Sequence, residues 1–341
     1  MTNVFATRHP KSILALDASP FGSSLALLPA IRALRAAYPK TLLVVAASTG
    51  ICELLNAFGF VDDSIDLNVI KAPDTGYVDL LRRLTRLIRN SRSYNFDLIL
   101  DFSPRLDTQI AARLFLRTRT ITPVRAAGVI ETLIGWAGVP KSVRQSASSN
   151  YANVLDQAGV ALEDTSLRIE LPEDEHARFE QRLVKAGSRG GELLVLLHSS
   201  NATDRWPVAS FVEVARRLSN TFGARVIATD EPSDSAFTGA LDLLLPARAI
   251  KLAAPTAFEF FAAISRASLA ITDQTMVARI ASELGTPALE IAGNIASEVN
   301  STINHKVLEG SSRKRITPDE VYEAACEMIH KSRSAALFHR R

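Results

Sequence analysis

A chain of 341 residues is long enough for two domains of roughly 150 to 170 residues each. With 47% hydrophobic and 22% charged residues it has ordinary globular composition, which excludes disordered, collagen-like and low-complexity classes. The net charge of +3 is uneven: between Lys71 and Arg144 there are 13 basic and 6 acidic side chains, whereas the region after Thr165 is near neutral. That stretch suits an anionic partner, or else it is a solvated helix face. No zinc spacing or aromatic–basic interleaving accompanies it, so nucleic acid is not expected as a partner.

In chain order, Met1 to Ser12 is polar and leads into an apolar run that meets Asp17 after four residues, which is not the pattern of a secretory signal. No apolar run approaches the roughly 18 residues of a spanning helix. Cys52 and Cys326 stand in no metal or redox spacing and read as reduced thiols. The expected compartment is the cytoplasm.

Ser12 to Leu16 predicts a buried strand ending at an Asp-Ala-Ser-Pro-Phe-Gly turn, followed by one helix over Ser23 to Tyr38, stopped by Pro39. Thr41 to Ala47 predicts a second strand and Ile51 to Phe58 a helix closed by Gly59. Asp97 to Phe102 predicts another strand, with a helix over Asp107 to Leu116 after it. A Pro/Ser/Gly-rich stretch from Val139 to Asn150 then separates two series, and Tyr151 to Ala158 predicts an amphipathic helix closed by Gly159.

The second series runs through a strand at Glu192 to His198, a helix at Phe211 to Asn220 and a strand at Ala224 to Thr229. It continues with a helix at Ala257 to Ala267, a strand at Leu269 to Thr272, a helix at Val277 to Leu284 and a strand at Pro287 to Ala292. Short continuous apolar strands alternating with helices mark parallel sheets covered on both faces. Ligands of such sheets bind beyond the carboxyl ends of the strands, so the loops after Leu16, Leu100, His198, Thr229, Thr272 and Ala292 are the informative ones. Neither a G-x-G-x-x-G fingerprint nor a Walker A loop follows any strand, which disfavours a dinucleotide-binding dehydrogenase and a P-loop enzyme.

Four segments resemble the ADP-heptose–lipopolysaccharide heptosyltransferases of glycosyltransferase family 9. They are Ile13 to Leu34, with its Leu-Pro-Ala-Ile-Arg-Ala-Leu ending; Phe96 to Arg119; Arg205-Trp206-Pro207; and Thr272 to Gly293, most clearly at Ala281 to Pro287. The resemblance implies a GT-B type α/β fold, two Rossmann-like parallel-sheet domains facing across a cleft. Residues 1–165 would hold the acceptor, and residues 166–341, closed by a C-terminal helix, the nucleotide sugar. It also implies inverting, metal-independent transfer of a heptose-like sugar, with no cofactor beyond an ADP-linked donor substrate. The implied acceptor is an anionic lipopolysaccharide core or related envelope glycan, and the basic tail from Lys331 to Arg341 is a candidate for peripheral contact with the inner membrane.

Several family positions differ here. The family's Gly-Asp, whose Asp is the expected general base, is Gly22-Ser23, and a serine of ordinary pKa is a poor proton acceptor. Asp17 could substitute as base, or it could be a turn residue bonding its own loop. The family's Asp-Ser/Thr-Gly-x-x-His falls on Gln274, Thr275, Met276 and Arg279, with Asp273 one place earlier. Arg279 could pair with a phosphate or be a surface arginine. A lysine of the family is Asp204, with Arg205 beside it. Ser199, Ser200, Asn201 and Gly293 complete the expected substrate-binding set, and Trp206 is expected to be a packing anchor. The altered positions leave an alternative open, a catalytically impaired relative that binds a glycan, nucleotide or protein partner. Another GT-B enzyme, such as a nucleotide-sugar epimerase, would need more acidic and histidine residues in the site than these segments offer.

Overall fold

The computed structural model describes residues 10–19, 21–67, 95–103, 119–121, 147–188, 190–199, 205–231, 235–241, 249–293 and 304–338. It divides into two compact units, Met1–Leu167 and Arg168–Arg341. Most of the basic 71–144 stretch and the helix expected over Asp107 to Leu116 lie outside the described residues, as do Ser200, Asn201 and Asp204.

The first unit is built on strands β1 (Ser12–Leu16), β2 (Leu42–Ala47), β3 (Asp63–Asp66), β4 (Leu98–Asp101) and β5 (Arg119–Ile121). They form one parallel sheet in the order β3-β2-β1-β4-β5. Its central strand β1 is buried along its whole length, which is why it reads Ser-Ile-Leu-Ala-Leu without polar alternation. The helices are α1 (Phe21–Ser24), α2 (Leu27–Ala37), α3 (Thr49–Ala57) and α4 (Ala147–Gln157).

The single helix expected over Ser23 to Tyr38 is two. Pro29 has no N–H and its ring would collide with the carbonyl of Leu25 in a continuous helix, so the chain breaks at Leu25–Ala26 and α2 restarts with Pro29 in its first turn. There Leu28 N–H bonds Leu25 O at 3.0 Å, a tighter turn. Helix α4 likewise begins at Ala147, inside the stretch expected to be a linker.

The second unit repeats the plan with six parallel strands, β6 (Leu194–His198), β7 (Arg225–Thr229), β8 (Ile250–Leu252), β9 (Leu269–Thr272), β10 (Ala288–Ala292) and β11 (His305–Glu309), in the order β11-β10-β9-β6-β7-β8. Its helices are α5 (Glu173–Lys185), α6 (Val208–Phe222), α7 (Ala236–Leu241), α8 (Ala257–Arg266), α9 (Thr275–Glu283) and α10 (Pro318–Phe338). Trp206 is fully buried and stands edge-on to Phe211, which stands edge-on to Phe237, at 4.8 and 5.1 Å between ring centroids. The core under these rings includes Val195, Leu197, Ile271 and Ile291 of the sheet and Val321 and Ala325 of α10. Among the described residues no helix is long and apolar enough to cross a membrane.

Both sheets are doubly wound α/β sheets. In each, the strand order reverses beside the first strand, between β1 and β4 and between β6 and β9, and such a reversal opens a crevice at the carboxyl ends of the strands.

Candidate functional site

In the first unit, Asp17 follows β1 and is fully buried. Its backbone N–H is held by Ala46 O at 2.8 Å, its Oδ1 accepts the Ser19 N–H at 2.9 Å, and its Oδ2 accepts the Tyr151 hydroxyl. The bond to Ser19 is the local turn that the residue type favours. Tyr151 comes from α4, its ring stacked on Phe102 at 5.2 Å, and its hydroxyl also reaches Ser23 O at 3.4 Å. Burial, and then the Asp17 charge, push this phenol well above its ordinary range, so it is a permanent donor.

Asp101 ends β4, paired in register with Leu16, and is buried too; its Oδ1 accepts the Ser103 N–H at 2.9 Å. Ser103 Oγ in turn accepts the Ala18 N–H at 2.6 Å, joining the loops after β1 and β4. Gly22 is buried in α1, and Ser23 beside it is exposed. The two expected catalytic residues therefore share one strand end, with the hydroxyl of Ser23 on the surface and the carboxylate of Asp17 inside.

The described members of the substrate-binding set expected in the second unit lie near where β6, β9 and β10 end. Asp273, just past β9, is buried, and its Oδ2 accepts the Ser199 hydroxyl at 2.7 Å and the Trp206 N–H at 2.9 Å. Trp206 Nε1 donates to Ile316 O at 2.8 Å, so one carboxylate and one indole tie the loops after β6, β9 and β11 together. This places Arg205, partly exposed, next to the start of α9.

Gln274 precedes α9 and Thr275 begins it. The Gln274 N–H bonds Thr272 Oγ1 at 3.1 Å, and its side-chain Nε2 donates to Glu231 Oε1 at 2.8 Å. Thr275 Oγ1 donates to Glu290 Oε1 at 2.5 Å, and Glu290 Oε2 lies 3.0 Å from His305 Nε2. Glu290 and His305 are both buried. Met276 is half-buried one residue into the helix, and Gly293 is buried in the loop after β10. Arg279, one turn along α9, lies 3.5 Å from Glu283 and is three-quarters covered. No acidic residue stands in the first turn of α9 itself, although the carboxylates of Glu231 and Glu290 bond the side chains of Gln274 and Thr275 at its start.

Among the described residues no cluster of three or more His, Cys, Asp or Glu is placed to hold a metal ion.

No protein-family model matches the chain, and no curated protein does. Solved structures match almost all of it. The family 9 glycosyl transferase of Veillonella parvula superposes with a TM-score of 0.65 at 16% identity, over 94% of this chain and 97% of that one. The chain shares the fold of that glycosyl transferase. The E. coli heptosyltransferase WaaC, solved with ADP-2-deoxy-2-fluoro heptose, gives a TM-score of 0.60 at 15% identity over 93% and 99% of the two chains. E. coli ADP-heptose lps heptosyltransferase II gives 0.60 at 16% identity, over 94% and 99%. The likeness extends end to end while the identity stays low, so the fold is shared and most side chains are not.

Sequence reasoning passed over Tyr151, Glu231, Glu290 and His305. Glu290 carried a signal, since it interrupts an otherwise apolar strand, Ala-Leu-Glu-Ile-Ala, and buried carboxylates need partners. Glu231 lies in the loop after β7, a position where acidic residues of doubly wound sheets meet ribose hydroxyls. Tyr151 gave no signal beyond its place on an amphipathic helix; only the tertiary contact with Asp17 marks it.

Proposed function

We propose that the protein is a glycosyltransferase that moves a heptose-like sugar from an ADP-linked donor to an anionic cell-envelope glycan, with inversion and without a metal. The observation that carries this reading is the end-to-end match to a family 9 glycosyl transferase and to a heptosyltransferase solved with an ADP-sugar analogue. In this reading the second unit holds the donor. The N–H groups at the start of α9, with Arg205 and Arg279, face the diphosphate and stabilise the charge that builds on it as the sugar leaves. In the same reading Glu231 takes a ribose hydroxyl of the donor. The first unit holds the acceptor, and the basic stretch from Lys71 to Arg144 supplies charge complementary to a phosphorylated glycolipid at the inner face of the membrane.

The acceptor hydroxyl must lose a proton as it attacks the anomeric carbon, and a positioned base contributes ~10²–10⁴ in rate. Asp17 is proposed as that base, assisted by Tyr151. Calorimetry with ADP, UDP, ADP-glucose and ADP-mannose tests the donor site, and release of ADP in the presence of a lipopolysaccharide core acceptor tests transfer. Saturable binding of the adenine nucleotides with turnover supports the proposal. Absence of binding across the panel removes it. In the Asp17→Asn variant turnover should collapse while ADP affinity stays unchanged.

One observation favours a second reading. Asp17 is fully buried, with both carboxylate oxygens already bonded, and the position beside Gly22 is a serine. A protein that binds a nucleotide sugar without transferring it fits that arrangement; saturable binding with no ADP release under any acceptor tested would select it.

A further inference from the structure

Ser48 stands between β2 and α3, at the carboxyl end of the first unit's sheet and at the N-cap position of the helix. A serine in that position ordinarily turns its hydroxyl onto an N–H of the first turn. This one makes no such bond; its backbone carbonyl takes the N–H groups of Ile51 and Cys52 instead, both at 3.0 Å. The side chain is nine-tenths buried, and its Oγ has no hydrogen-bond partner among the described residues. The N–H groups of Thr49 and Gly50 have no described partner either, since they precede the first intrahelical bonds. A buried hydroxyl left without a partner is costly, and its persistence at this place asks for a ligand that supplies one.

One hydroxyl hydrogen and two N–H groups call for a ligand rich in acceptor oxygens, and the positive end of the helix favours one that carries negative charge. No acidic residue stands in the first turn of α3. Asp66, at the end of β3, accepts the Thr49 hydroxyl at 3.0 and 3.1 Å, but it is exposed and its field is weakened by solvent. Glu53 lies a full turn further along the helix. The Leu67 N–H bonds Ala47 O at 2.8 Å, so the chain leaves β3 beside Ser48, and in sequence it runs on into the basic stretch that begins at Lys71. We propose that the start of α3 is an oxyanion subsite, in which the Ser48 hydroxyl and the N–H groups of Thr49 and Gly50 hold a phosphate group of the acceptor. Asp17 follows β1, the strand paired with β2, so the subsite and the proposed base share one end of one sheet. This inference rests on the reading of the first unit as the acceptor unit and adds the group by which the acceptor is held.

The test follows the amide signals of the whole chain labelled at glycine, with Gly50 assigned by the signal lost in Gly50→Ala. Inorganic phosphate should shift the Gly50 signal saturably, and Ser48→Ala should weaken that binding about tenfold, as expected of one hydrogen bond to a charged group. Without phosphate, Ser48→Ala should keep or raise the urea midpoint, because it removes a hydroxyl that has no partner. With a phosphorylated lipopolysaccharide core as acceptor, ADP release by the same variant should show an acceptor KM raised about tenfold, at unchanged kcat and donor KM. Phosphatase treatment of the acceptor should erase this difference between variant and wild type. No shift at Gly50, phosphate binding as tight in Ser48→Ala as in the wild type, or a lowered urea midpoint overturns the subsite. A KM difference that survives dephosphorylation overturns the assignment to the acceptor and leaves free phosphate as the occupant. A wild type that takes phosphate at Gly50 yet binds no nucleotide overturns the glycosyltransferase reading, and the acceptor with it, and leaves the oxyanion subsite standing.

Discussion

Tyr151 and Asp17 set the energetics of the first unit's strand end. The phenol is the one side-chain donor described on Asp17, whose carboxylate is fully buried. Tyr151→Phe keeps the ring and its stacking on Phe102 but leaves that carboxylate short of a partner, so the variant should lose about 1–3 kcal/mol of stability in urea titration. An unchanged midpoint would mean that water or another group replaces the phenol. Cys52 belongs to the same scale. Burial pushes its thiol up to about 11, against about 8.5 for a free thiol. The folded state therefore binds the proton more tightly than the unfolded one, and its contribution is complete below about 8.5 and lost as pH rises toward about 11. At pH 8 a thiol reagent should find Cys52 slow in the native protein and fast after denaturation; fast native labelling would contradict the burial.

At the scale of elements, helix α6 ends on Gly223 at φ +63°, and a Cβ placed there meets nothing within 4 Å. Gly223→Ala should then cost about 1 kcal/mol from backbone conformation alone, seen as a lowered denaturation midpoint with unchanged cooperativity. Elements also separate what was legible in the sequence from what was not. The inner strands β1, β2, β4, β6, β7, β9 and β10 were readable because burial on both faces forces continuous apolar runs. The strands that escaped, β3, β5, β8 and β11, are the edges of the two sheets. An edge strand has one neighbour and is half-covered, so Asp-Ser-Ile-Asp or His-Lys-Val-Leu-Glu suffices, and the pairing is decided by what lies beside it. The broken helix at Leu25–Ala26 was legible in principle, since Pro29 stands in the sequence and its geometric demand is local.

At the scale of the whole molecule, the chain is two doubly wound sheets with separate cores, and a ligand that binds the native state stabilises the unit that holds it. ADP at about 100 times its dissociation constant should add about 2.7 kcal/mol, read as a rise of several degrees in thermal melting, and UDP should do less. No shift with any nucleotide would count against the donor site. The alternation of inner strands with helices, the two-unit organisation and the positions of the inner strand-end loops followed from the sequence alone, because hydrophobic period and turn chemistry act over a few neighbouring residues. The chemical character of those loops did not. Whether Asp17 is open or covered depends on Tyr151, 134 residues away. Whether Thr275 donates or accepts depends on Glu290, on another strand and itself set by His305. Hydrogen-bond direction is fixed by partners that only folding brings together, and no local pattern encodes them.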